Sequence, residues 1–97
     1  MVTPEDIFYK MRTRPILFSN ANDFKSFVDL VRFQYEHHFW DYSPDWSWSR
    51  NKPCIGINTA NDNITHVKKS VATGWIYWED VVDVFLWDAN INVYDLI

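Results

Sequence analysis

Residues 79–87 read EDVVDVFLW, and the fold turns on whether this run is strand or helix. It is short, apolar and rich in β-branched and aromatic residues, which favours a strand. On that reading VVDVFLW (81–87) is a strand, DAN (88–90) a turn, and INVYDLI (91–97) a further strand. The competing reading is a helix. Glu79 and Asp80 would then suit its first turn, and Val81, Val82, Phe85 and Leu86 would face inward. The strand reading is adopted here as the expectation.

Upstream, CIGIN (54–58) is a good strand, TANDN (59–63) a turn, and ITHVKKSVATGWIYW (64–78) a long or broken strand. These segments would form an antiparallel meander with 81–97. The N-terminal part reads differently. Thr3 can cap a helix, Pro4 suits its first position, and Glu5 and Asp6 favour its positive end. Ile7, Phe8 and Met11 follow at helical spacing, and Pro15 stops the helix near Thr13. ILFS (16–19) is a short strand or extended linker. In DFKSFVDLVRFQYEHHF (23–39), Phe24, Phe27, Val28, Val31, Tyr35 and His38 trace an apolar helical face, capped from Asn20 or Asn22. Lys25, Asp29, Arg32 and Glu36 trace the solvated face. Leu30 and Phe33 widen the apolar stripe. The expected fold class is α+β, with two N-terminal helices packed on a small C-terminal antiparallel β-sheet, as a single domain over residues 1–97.

A chain of 97 residues buries roughly 60–65% of its unfolded surface. Seven Phe, six Trp and five Tyr stand against four Leu, so the core is built largely of rings. Six indoles exceed what such a core encloses, and exposed Trp commonly anchors interfaces. The single cysteine, Cys54, permits no intrachain disulfide and reads as a small buried hydrophobe. No apolar run approaches a membrane span, and MVTPEDIFYK lacks the apolar core of a signal peptide. The expectation is a cytoplasmic protein, in the host cytoplasm if virally encoded.

The net charge of −4 is unevenly spread. Residues 1–40 balance and residues 41–73 carry +1. Residues 74–97 carry −5, from Glu79, Asp80, Asp83, Asp88 and Asp95 with no Lys or Arg. Phosphates require cations, so direct nucleic-acid binding through this quarter is disfavoured.

The stretch HHFWDYSPDWSWS (37–49) gathers His, Asp, Ser and Trp. His37 or His38 with Asp41, and His66 from elsewhere, could be drawn as a metal site, but no recognised ligand spacing is present. Cys54 with a histidine could be drawn as a catalytic pair. There is no nucleophile elbow, phosphate-binding loop or dinucleotide fingerprint, and only two glycines, Gly56 and Gly74. No enzyme, cofactor or metal is expected. If DWSWS is extended, Trp46 and Trp48 share one side.

An acidic, aromatic-laced surface complements a basic protein. The expected activity is binding another macromolecule as an inhibitor or modulator. One version is a nucleic-acid mimic that blocks a nucleic-acid-processing or host-defence protein. A short, motif-free, aromatic-rich acidic chain also resembles virus- or mobile-element-encoded accessory proteins in composition. The expected partner-binding residues are Trp40, Asp41, Tyr42, Asp45, Trp46, Trp48, Glu79, Asp80, Asp83, Trp87, Asp88 and Asp95. On a strand Glu79 and Asp83 would share a face, opposite Asp80 and Asp88. Two alternatives belong to other classes. One is a small-ligand or nucleotide-binding domain using Trp40 to Trp48 as a stacking box. The other is a self-associating subunit such as a homodimer.

Overall fold

The computed structural model describes residues 2–34, 40–41 and 46–95, with backbone alone for 33, 34 and 88–95. Helix α1 spans Pro4–Lys10 and starts as its sequence predicts. The Thr3 amide donates to the Asp6 carboxylate at 2.9 Å, and the Asp6 amide donates to the Thr3 hydroxyl at 3.3 Å. Two otherwise orphaned donors are satisfied reciprocally. Thr3→Ala should therefore cost about 1 kcal/mol, read as a lowered urea midpoint at unchanged slope. The Thr3 backbone amide holds the Asp6 carboxyl below its ordinary range. This contribution is present above the unfolded-state value and is lost as pH falls through the folded one.

Strand β1 (Ile16–Leu17) is short, and helix α2 (Ala21–Gln34) follows. Asn20 caps α2 by accepting the Asp23 amide at 2.9 Å. Phe24, Phe27, Val28 and Val31 are buried, as their spacing predicts. The C-terminal extension of this helix expected at 35–39 lies outside the described residues. Strands β2 (Cys54–Ile57) and β3 (Ile64–Val67) form an antiparallel hairpin. A 3-10 turn (Lys69–Val71) leads to strand β4 (Ile76–Tyr77).

The class is α+β, as expected, but the sheet is mixed rather than antiparallel. Its order is β3-β2-β1-β4, and β1 pairs parallel with β4. Strand β1, from between the two N-terminal helices, occupies an inner position. Register places Ile16, Ile55, His66 and Ile76 on one face, with Ile57 and Ile64 beside them. This face carries the helices. Leu17, Cys54 and Val67 point to the other face. Strands β3 and β4 form opposite edges, so residues 68–75 must carry the chain across the sheet. Three strand spacings are about 14 Å, well within reach of eight residues. Gly56 marks the crowded inner part of that second face. A Cβ there would meet Pro15 Cβ and Val67 Cγ2 at 3.3 Å each.

The strand expectation for 79–87 is overturned, and with it the strand at 91–97 as far as Asp95. Helix α3 spans Trp78–Asp95. As a strand, period two would have put Asp83 on the same face as Val81 and Phe85. The helix turns Asp83 about 200° away from Phe85, so Phe85 is fully buried while Asp83 is exposed. No Gly or Pro follows Gly74 to interrupt it. Burial of one apolar stripe outweighs the β-branched preference for strand. The helix alternative placed Leu86 inward, whereas it is 50% exposed.

The core is a lattice of rings. Phe18 meets Phe24 and Phe27 at 5.4 Å between centroids, and Phe27 meets Trp78 at 5.5 Å. Phe85 closes it against Phe8, Phe27 and Trp78 at 5.6–5.7 Å, joining all three helices. No described helix is long and apolar enough to cross a membrane.

Candidate interaction surface

The structure divides the twelve expected partner-binding residues into groups with different roles. Trp40, Trp46 and Trp48 are partly buried and packed on the core. Trp46 stacks on His66 at 5.3 Å and meets Trp40 edge-on at 4.9 Å. Trp48 donates its indole N–H to the Phe18 carbonyl at 2.8 Å. The shared side of Trp46 and Trp48 is therefore the inner one. The Arg32 guanidinium lies 4.8 Å from the Trp40 ring centroid. These indoles form a flap held on the helix-bearing face of the sheet.

Asp41 is also engaged internally. Its carboxylate accepts from the Asn63 side chain at 2.8 Å, and its amide donates to the Ile64 carbonyl at 2.8 Å. It braces the β2–β3 turn, where Asp62 adopts φ 59° and pairs with Arg12 at 3.0 Å. Tyr42 and Asp45 lie outside the described residues. Asp88 and Asp95 lie on α3, and their side chains are outside the described set.

Glu79, Asp80, Asp83 and Trp87 are exposed on α3. Trp87 is 63% exposed. The helix distributes the three carboxylates differently from a strand. Asp80 lines a hollow between α1 and α3 together with Lys10, Arg14 and Val81. Its charge therefore has cations around it. On the other flank, α2 and α3 enclose a groove of about 570 Å³. Asp23, Ser26, Asp29 and Leu30 contribute from α2, and Trp78, Val82 and Leu86 from α3. By helical geometry Glu79 and Asp83 stand on the outer flank of Leu86, within a quarter turn of it. The result is an apolar floor rimmed by carboxylates, with no Lys or Arg among the described residues of its lining.

None of the seven described residues lining this groove was among the expected partner residues. Asp29 reads as an ordinary solvated helix position. Leu30 was noted only as widening the apolar stripe. Leu86 faces inward only on the competing helix reading. The signal for Leu30 and Leu86 lay in the sequence as apolar residues off the main stripe of each helix.

Among the described residues no group of three or more His, Cys, Asp or Glu is placed to hold a metal ion. His66 Nε2 lies 2.6 Å from the Lys52 carbonyl, so this imidazole fixes a loop. Cys54 is fully buried, and desolvation pushes its thiol up to about 11. It is neutral at physiological pH and shielded from reagents. A thiol-reactive chromophore should label the native protein far more slowly than the urea-unfolded chain. Equal rates would contradict this placement. No protein-family model, curated protein or solved structure matches this chain.

Proposed function

We propose that the chain is a protein-binding module whose α2–α3 groove receives a basic, amphipathic segment of another protein, acting as an inhibitor or modulator of that partner. One observation carries this reading. Leu30, Val82 and Leu86 form an apolar floor between Asp23 and Asp29 on one wall and the Glu79–Asp83 flank on the other. Apolar contact slows release, and a ring of one sign of charge speeds encounter with the opposite sign. The half-exposed Leu86 and the more exposed Trp87 are the anchors, since interface energy concentrates in a few large apolar side chains. Four carboxylates flanking one groove present the charge that a nucleic-acid backbone also presents. A basic nucleic-acid-handling protein, including one of host defence, is thus a partner class this surface suits. Pairing two such acidic faces in a homodimer is opposed by like charge.

The test is affinity capture from lysate of the source organism at low and high salt, run in parallel with Leu86→Ser and Asp83→Lys variants. The expected result is a basic protein retained by the wild type at low salt, released by salt, and absent from both variants. Identical recovery by wild type and variants would remove the groove from consideration. Multi-angle light scattering on dilution would separately expose self-association.

A further inference from the structure

The acidic groove is matched by a basic hollow elsewhere on the surface. Arg50, Asn51, Lys68, Lys69, Ser70 and Trp75 line a concavity of about 690 Å³, with Ala72 completing it. This volume falls within the range of small-molecule sites, roughly 300–1,000 Å³. Among the described residues, three cations and no carboxylate line it. Among the described residues, none of the three cations is paired with a carboxylate; the ion pair present is Arg12–Asp62.

The walls are held in place by the fold. The Lys69 amide donates to the Asn51 carbonyl at 3.1 Å, tying the 3-10 turn to the loop before β2. The Lys52 amide donates to the Ser49 carbonyl and hydroxyl at 3.2 and 3.1 Å, closing that loop on itself. The Lys69 ammonium is 5.8 Å from the Trp75 ring centroid, which restrains one cation of the set. Trp75 adds a second observation. Its indole N–H is buried and has no acceptor among the described residues. Buried donors are nearly always satisfied, so this indole N–H beside the hollow is a sensitive reporter of what occupies it.

We infer that this hollow is an anion site for a di- or triphosphate group, gripped by Arg50, Lys68 and Lys69 with Asn51 and Ser70 as neutral hydrogen-bonding partners. The three cations match the multiple charges of a polyphosphate. Guanidinium and ammonium groups form short, charge-assisted hydrogen bonds to phosphate oxygens. The hollow is formed by other segments than the α2–α3 groove, so this inference stands independently of the protein-binding proposal.

The test uses the full chain, labelled with ¹⁵N and titrated at low salt with pyrophosphate, with a nucleoside triphosphate and with oligothymidylate. Saturable shifts are expected for the amides of Arg50, Asn51 and Lys68 to Ser70 and for the Trp75 indole N–H, with both pyrophosphate and the nucleotide. Tighter binding of the nucleotide than of pyrophosphate would assign the base a share in a small-ligand site. That result supports the site. Tighter binding of the oligonucleotide, whose phosphodiesters each carry a single charge, would overturn the di- or triphosphate assignment. Lys68→Glu and Arg50→Glu change exposed side chains and should each weaken pyrophosphate by at least about tenfold, while Lys25→Glu on α2 should not. Absence of saturable shifts with pyrophosphate and nucleotide alike would overturn the inference. So would equal weakening by Lys25→Glu, which marks diffuse charge attraction.

Discussion

Phe85→Ala should leave the chain close to its unfolding threshold, with Tm lowered by roughly 15–30 °C. The ring is fully buried and touches Phe8 of α1, Phe27 of α2 and Trp78 at the start of α3. A buried Phe→Ala change costs about 3–5 kcal/mol. The whole stability of a chain this size is about 5–10 kcal/mol. Three elements lose their common contact at once, so little relaxation can refill the space. Trp87→Ala, two residues away, should change stability by less than about 1 kcal/mol, because that ring is mostly in solvent. The contrast between the two variants tests the helix itself. In a strand, positions 85 and 87 share a face and both substitutions would be costly. Thermal melts of the two variants, with far-UV dichroism to follow helix content, decide the matter. Comparable losses of stability would remove α3 from the fold.

Local chemistry and tertiary packing were unequally legible in the sequence. The Thr3 cap and the apolar face of α2 follow from short-range rules, and they hold, while α1 ends at Lys10, short of the Thr13 expected from Pro15. Cys54 between apolar neighbours was read as buried, and it is. The reading failed at 79–87 because VVDVFLW satisfies strand preference residue by residue. Only the position of Asp83 relative to Phe85 distinguishes the two conformations, and that difference has force only once a core exists on one side. Strands β1 and β4 are two residues each. No periodicity can be read from two residues, so the mixed topology and the crossover at 68–75 were not accessible. The α2–α3 groove was hidden for the same reason. Asp29 and Leu30 gain a partner wall only when 78–86 is a helix lying beside α2. The tryptophans of 40–48 suit either a core flap or a surface by sequence alone. His66, Phe18 and the sheet give them an interior to pack against.

The second large effect concerns the groove and separates its apolar floor from its charged rim. Leu86→Ala should weaken the partner by about 2 kcal/mol, roughly thirtyfold, and the change should fall mainly on the dissociation rate. Since Leu86 is half exposed in the free protein, the same substitution should hardly alter stability. Asp29→Asn and Asp83→Asn should act differently. These rim carboxylates guide encounter across solvent, so their loss should slow association and flatten its dependence on salt. Asp80→Asn supplies the internal comparison. Asp80 carries the same charge on the same helix, but it faces the hollow where Lys10 and Arg14 already answer it. Its removal should leave association of a basic partner nearly unchanged or slightly altered in either direction, and less than Asp83→Asn does. Net charge changes identically in both variants, so a difference between them cannot come from net charge alone. Surface plasmon resonance over a salt series, with the captured partner as analyte, measures both rates. Equal effects of Asp80→Asn and Asp83→Asn would show attraction to the acidic C-terminal quarter as a whole. Recognition would then not be localised to the groove between α2 and α3.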